Sequence, residues 1–467
     1  MSLPIFKENE RFNQQGRVVP QYLAVVLATM SALSGGTYLG WTSPALPLLR
    51  EDDHLDINDG VGSWIGSLTP LGALIGALPA GYLADKVGRK RAILIITLPL
   101  LFCWYLVGFT HNLVWILLGR ALAGTSIGAS SVTVPMYVYE ISEANIRGKL
   151  GTFFQLQLTI GILFVYLTGF TQNYAYIALI CALIPALVLI TLPFMPESPV
   201  WLMNQNRRED AKAALQYFRG KRYSVEKELS ELQLIKDSQE DAASIMDLKN
   251  HVKAMIIALG LSIFQQLSGI NAVIFYSQTI FAAAETNISS ILCSVIIGIV
   301  QVVATCGSSF FIDHAGRKVL LLLSSTVMAA CLFVLSAYFH FQTVLSSLFW
   351  VPLVSLTVLV IVFSLGFGPI PWLIVGELFP SNVKGTAGSV AAATNWSLAF
   401  MVTKFFPTMM NNVGIAGSFV IFAFVCVAGT IFISTVVPET KGKSLEEVQN
   451  ELYGIREEPI TQVKIQS

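Results

Sequence analysis

Side-chain amides stand inside long apolar runs of this 467-residue chain: Gln155, Gln265, Gln266, Asn271, Gln301 and Asn395. Each offers one carbonyl acceptor and two N–H donors. Polar groups in such runs face either a cavity or a neighbouring helix. The residue types therefore leave two uses open: hydrogen bonding between helices, which is the ordinary one, and contact with a ligand rich in hydroxyls. Gln265, Gln266 and Asn271 flank Gly269, where a helix can bend and expose polar groups. Phe275 and Tyr276 follow one turn later and read as an outer gate or as packing. Further on, Gly366, Gly368, Pro369 and Pro371 crowd one apolar run and predict a broken helix, which can hinge or be a static kink.

A second set of residues is charged and written twice, about half a chain apart. Asp85 to Arg89 returns as Asp313 to Arg317; Glu140 to Arg147 returns as Glu377 to Lys384 with the same acid-to-base spacing; Glu197 in Pro-Glu-Ser-Pro returns as Glu439 in Pro-Glu-Thr. A duplicated unit in a membrane chain points to a transporter architecture. Acids and bases at a membrane boundary pair more strongly than on an open surface. The ten residues Asp85, Arg89, Glu140, Arg147, Glu197, Asp313, Arg317, Glu377, Lys384 and Glu439 are expected to cluster on one side and latch the two halves there. Separation of the pairs then opens that side. The alternative is that the strings mark topology and cap helices.

These residues need apolar elements to hold them. The composition is 54% hydrophobic and 12% charged, against about 25% charged in soluble domains. Mean hydropathy is +0.65. Twelve runs reach spanning length: 20–44, 62–83, 92–110, 113–139, 151–171, 174–195, 252–283, 288–312, 319–340, 345–372, 386–411 and 414–437. The fold class is an all-α membrane protein of two six-helix bundles with a helical linker. The divisions are an N-terminal segment 1–19, a bundle 20–202, a linker 203–250, a bundle 251–437 and a tail 438–467. Of 29 Lys and Arg, all but Arg50, Arg120 and Lys404 fall on the side of the termini, which is therefore expected to be cytoplasmic. The first run is expected to be an uncleaved anchor. In the linker, Val225, Leu229 and Leu232 after Ser224 predict an amphipathic helix. The six cysteines, without CxxC spacing, are expected to pack apolar cores.

Several motifs carry a family resemblance. Gly81-x-x-x-Asp-Lys-x-Gly-Arg-Lys90 resembles the signature loop of the major facilitator superfamily. Pro196-Glu-Ser-Pro-Val-Trp-Leu202, Gln265-Gln-Leu-Ser-Gly-Ile-Asn271, Gly368-Pro-Ile-Pro-Trp372 and Pro438-Glu-Thr-Lys-Gly442 together resemble the sugar porter family, over nearly the whole chain. Within it the chain is most similar to insect facilitated trehalose transporters, with class III facilitative glucose transporters next. The resemblance implies sugar contact at Gln155, Gln265, Gln266, Asn271, Gln301 and Asn395, with Trp372 as an apolar face for the ring. Ser364, Gln301, Val200 and Lys384 depart from the family pattern, and a short Ser364 is compatible with a second sugar ring.

Family members that use a proton gradient carry an aspartate in the first span, where Tyr38 stands here. No span holds an Asp or Glu in its interior, and the five histidines lie in loops or at helix ends. Arg120 is the one deeply placed charge and must face polar groups or water. The expected activity is uniport of a hexose such as glucose, or of trehalose, down its gradient; the alternatives are a proton-coupled symporter and a membrane sugar sensor. The residues call for no cofactor, metal or nucleic acid, and no enzyme constellation such as His-Glu-x-x-His occurs. The expected setting is the plasma membrane, as a monomer, with Asn287 in Asn-Ile-Ser a glycosylation candidate and Asn395 in Asn-Trp-Ser inside a span.

Overall fold

The computed structural model describes residues 17–220, 223–237, 251–379, 381–443 and 445–453. The side chain of Asp313 and the tail beyond Tyr453 lie outside the described residues. The first half holds six spanning helices: α1 (Val18–Arg50), α2 (Asp59–Val87), α3 (Arg89–Gly108), α4 (Leu113–Ile141), α5 (Ala144–Thr168) and α6 (Tyr174–Thr191). Asparagines start three of them, as Asn58, Asn112 and Asn173 each accept a backbone N–H of the first turn.

The linker folds as α7 (Pro199–Asn204), α8 (Arg208–Arg219) and α9 (Val225–Asp237). Val225 and Leu229 of α9 are buried against Trp201, Ala211 and Leu215, which is the apolar face that their spacing predicts. Helix α8 is clamped to the first half by Arg219, whose guanidinium donates to the Ile141 carbonyl at 2.8 Å and pairs with Glu228 at 2.7 Å.

The second half is less regular. Its first span is split into α10 (Val252–Leu267) and α11 (Ile270–Ala283), because Gly269 takes a left-handed conformation, φ +84°. Then follow α12 (Ser290–Ala315), α13 (Arg317–His340), α14 (Val351–Leu365), α15 (Ile370–Leu378), α16 (Ser381–Val436) and α17 (Leu445–Tyr453). The break between α14 and α15 falls at Gly366 to Pro369, as the Gly and Pro content predicts, but in mid-span; the span runs on to Leu378 rather than stopping at 372. Helix α16 is 56 residues, about 84 Å at 1.5 Å per residue, far more than a bilayer needs. Gly414, φ +74°, turns it into two spans and completes the set of twelve.

The two halves pack by different rules. In the first, α2 and α4 meet backbone to backbone: a Cβ added at Gly128 would sit 1.9 Å from the Ala73 carbonyl oxygen, and one at Gly76 would sit 1.9 Å from that of Thr125. Small residues at such crossings let helices approach where lipid offers no hydrophobic drive. Five of the cysteines are buried as expected, but Cys306 is exposed on the outside of α12, so its thiol fills no core.

The halves touch at the end opposite the linker. Tyr166 donates to the Ile274 carbonyl at 2.6 Å, Gln278 N to Ser43 Oγ at 3.2 Å, Lys404 Nζ to Ser63 Oγ at 2.7 Å and Asn411 Nδ2 to Asp59 Oδ2 at 2.8 Å. Among the described residues no hydrogen bond or ion pair joins the halves at the linker face. The protein is therefore shut at the far face. Gly128→Val should abolish monodisperse protein in detergent, by more than the ~1–3 kcal/mol of ordinary overpacking, because the obstacle is backbone. Gly81→Ala, with nothing within 4 Å of the added carbon, should leave it unchanged; size-exclusion profiles of both variants check this.

Candidate substrate site

Four of the predicted amides form one directed chain inside the second half. Asn271 Nδ2 donates to Gln266 Oε1; Gln266 Nε2 donates to Asn395 Oδ1 at 2.9 Å; Asn395 Nδ2 donates to Gln265 Oε1. Gln265 Nε2 ends the chain on the Phe367 and Gly368 carbonyls, the latter at 3.1 Å. Those carbonyls lie in the α14–α15 break, where helical partners are missing. The chain thus ties α10, α11 and α16 to the broken span. The free valences decide what the chain can recognise. Gln265 has both N–H groups engaged and acts as an anchor. Gln266, Asn271 and Asn395 each keep at least one N–H for a ligand. Aligned amides polarise one another, which strengthens a further bond to a hydroxyl.

Three other predicted residues stand apart from this chain. Gln301 on α12 is buried with its Oε1 unpartnered, and a buried bare carbonyl is a reason to expect a donor from a ligand or water. Gln155 is half-buried on α5 of the first half, and Trp372 on α15 is 45% exposed. The amino-acid sequence did not reveal the two backbone acceptors at Phe367 and Gly368. The signal was present in the cluster of Gly and Pro, read as a hinge rather than as a source of bare carbonyls. Phe275 and Tyr276 are both buried in α11; the Tyr276 hydroxyl lies against Gly66 of the first half, and Tyr276 has non-helical angles, φ −120° and ψ 23°.

Arg120 is sealed inside the first half with 0% exposure. Its guanidinium donates to the Tyr38 carbonyl at 2.6 Å, Thr42 Oγ1 at 2.9 Å and the Ile65 carbonyl at 3.0 Å, over the Trp41 ring at 5.1 Å. All of these partners are neutral. The Tyr38 hydroxyl points away, donating to the Leu100 carbonyl at 2.8 Å while its ring stacks on Trp104.

The charged strings build the same device twice. In the first half Arg89 Nε reaches Glu140 at 2.9 Å and Nη1 reaches Asp85 at 2.8 Å, while Ser198 donates to Glu140. Glu197 accepts Lys90 N at 2.8 Å and caps α3. In the second half Arg317 reaches Glu377 at 2.9 Å, Thr440 donates to Glu377, and Glu439 accepts Arg317 N and Lys318 N at 3.0 Å each, capping α13. Burial pushes the Glu439 carboxyl up, but the backbone N–H groups of Lys441, Arg317 and Lys318 outweigh it and hold it below its ordinary value. Its contribution persists at neutral pH and is lost only as pH falls below the usual glutamate range.

Two expected pairs are replaced. Glu140 bonds Arg89 rather than Arg147, because the Arg89 guanidinium reaches it from α3; Arg147 instead donates to the Ser142 carbonyl and lies 4.2 Å over the Tyr139 ring. Glu377 pairs with Arg317 rather than Lys384, which is exposed. The networks therefore join helices within a half, not one half to the other, in this far-face-closed state.

A family model described as sugar (and other) transporter matches residues 32–452. The chain belongs to the sugar transporter family. It is 38% identical over 93% of its length to a protein called facilitated trehalose transporter Tret1 from Culex quinquefasciatus, covering 86% of that chain. A Tret1 from Anopheles gambiae is 37% identical over 93% of this chain, which spans only 56% of that longer relative. Among solved structures, the inward-open conformation of the xylose transporter XylE from E. coli matches with TM-score 0.78 and 26% identity, over 92% of this chain and 99% of that one. The twelve-helix major facilitator fold read from the sequence is thus the fold of this sugar transporter family member.

The second charged network is the more open copy: side-chain exposure is 16% and 27% for Arg317 and Glu377, against 6% and 12% for Arg89 and Glu140. Glu140→Gln, which leaves the buried Arg89 guanidinium with the exposed Asp85 as its only carboxylate, should destabilise by up to ~3–5 kcal/mol. Glu377→Gln should lose only ~1–3 kcal/mol. Thermal unfolding of the two variants in one detergent checks the order, and an equal or reversed order contradicts it.

Proposed function

We propose that the protein is a facilitative transporter that carries a sugar down its gradient, a hexose such as glucose or the disaccharide trehalose, by alternating access. Support for a sugar comes from the amide chain, whose spare N–H groups suit vicinal hydroxyls, and from relatives called facilitated trehalose transporters. Gln266, Asn271 and Asn395 contact the sugar, Gln265 anchors them, Gln155, Gln301 and Trp372 complete the pocket, and Phe275 and Tyr276 close it from the far face. The charged networks hold each half rigid so that the halves rock as bodies.

One observation carries the uniport reading: Arg120 is satisfied by two carbonyls and a threonine hydroxyl, and the position of a proton-carrying acid is filled by Tyr38, whose hydroxyl is engaged elsewhere. A proton symporter needs a carboxylate that changes charge at the midplane, and the spans supply none there. Proton symport remains the second reading, since one structural neighbour is described as a proton:xylose symporter.

The linker face is assigned to the cytoplasm, with both termini, because it carries nearly all Lys and Arg. The plasma membrane is the proposed site of action, and one chain suffices because the path lies within it. Asn287, exposed in the loop between α11 and α12, is the proposed glycosylation site on the opposite face.

Purified protein in liposomes should equilibrate labelled glucose or trehalose to the external level and no further, at a rate unaffected by a protonophore. Accumulation above that level, abolished by the protonophore, would establish symport instead. Gln266→Ala should weaken sugar binding by ~1–3 kcal/mol, about ten- to a hundredfold, because it removes the acceptor of Asn271 Nδ2 and the donor to Asn395 Oδ1. Unchanged competition by unlabelled sugar would move the site elsewhere.

A further inference from the structure

Lys404 is one of three Lys and Arg residues placed away from the linker face, and the other two are accounted for: Arg50 pairs with Asp59 at 2.6 Å, and Arg120 is sealed inside the first half. Lys404 belongs to the second half yet ends on the first. Its ammonium lies 2.7 Å from Ser63 Oγ and 3.9 Å from the centroid of the Trp64 ring. Among the described residues it meets no carboxylate. The preceding residue, Thr403, gives its carbonyl to the Tyr276 hydroxyl at 2.9 Å. Tyr276 sits at the kink of α11, packs on Phe406 with ring centroids 5.6 Å apart, and lies over Gly66 of the first half. A Cβ added at Gly66 would fall 2.7 Å from that hydroxyl oxygen. The outer part of α11 and the first limb of α16 are thus tied together at adjacent residues, one reaching Gly66 and the other Ser63 and Trp64.

We propose that Lys404 is the positioning residue of the far-face gate: its grip on Trp64 and Ser63 holds Tyr276 over Gly66 and sets the balance between far-face-closed and far-face-open states. This rests on the alternating-access reading above. The chemistry of the partners suits a contact that must break in every cycle. An ammonium on an aromatic face and a hydroxyl is held by a modest attraction, whereas a carboxylate in the same half-buried place would hold it far more firmly. On opening, the ammonium regains water, to which it is strongly attracted.

The test uses the full chain carrying Ser43→Cys, a position buried where α1 meets α11, with an impermeant thiol reagent added at the far face and the parent chain as the background. Lys404→Met should raise the labelling rate about three- to tenfold, the shift a cation–π contact of this kind can give. Lys404→Arg, which keeps the cation, should stay near the parent rate. Trp64→Leu should reproduce the rise, and adding it to Lys404→Met should add little. The apparent KM for entry from the far face should fall while that for exit rises, an asymmetry that general damage does not produce. If Lys404→Met fails to reach the membrane, Trp64→Leu and Ser63→Ala carry the test. Unchanged labelling and unchanged KM asymmetry in a transporting protein overturn the clasp. A parent that takes up no sugar but shows the labelling pattern overturns the transport reading and leaves the clasp standing.

Discussion

A backbone carbonyl left bare in hydrocarbon costs several kcal/mol, and no water is present to relieve it. Continuous helices satisfy that constraint by themselves. This protein breaks two spans in the second half, at Gly269 and at Gly366 to Pro369, and so creates groups that the helix no longer serves. Gln265 takes up the Phe367 and Gly368 carbonyls, and Asn395, Gln266 and Asn271 follow from it in sequence. The polar pole of the site and the repair of the broken span are one structure. Removing the break would remove the reason for the amides, and removing the amides would strand the break.

The two halves divide the mechanical work. In the first, glycines bring α2 and α4 into backbone contact and the buried positive charge of Arg120 is solvated by three neutral acceptors, which tie α4 to α1 and α2. The second carries the kinks and the amide chain, so polarity and broken helices coincide there. Strong charge-assisted forks, Arg89 with Glu140 and Arg317 with Glu377, are spent inside the halves. Among the described residues no ion pair joins the halves: Tyr166 to the Ile274 carbonyl and Gln278 N to Ser43 are neutral hydrogen bonds, while Lys404 to Ser63 and Asn411 to Asp59 each set one charged group on a neutral one. Bodies that must rock against each other need this ordering, with strong bonds within and weaker ones across.

Much of this was legible in the residues. Apolar runs of spanning length, the repeated charged strings and the placement of Lys and Arg are local properties, and each maps onto an element whatever its neighbours do. The break in the tenth span was readable for the same reason, since Gly and Pro act on their own backbone. Cys306 shows the limit: it looks like its five buried counterparts, and only the face of α12 on which it falls leaves it exposed. The α8 helix and its Arg219 clamp were also hidden, because an arginine in a polar stretch reads as solvated until a carbonyl such as that of Ile141 lies above it.

The amino-acid sequence by itself determined the twelve spans, their division into two repeats, the amides that sit in them and the absence of a midplane acid. Tertiary structure decided who pairs with whom. Arg89 reaches Glu140 ahead of Arg147, Gln265 becomes an anchor rather than a free ligand group, and Lys404 crosses to Trp64 of the other half. The physical reason is distance. Spacing along a chain ranks partners within one helix, while partners on different helices are ranked only by how those helices pack.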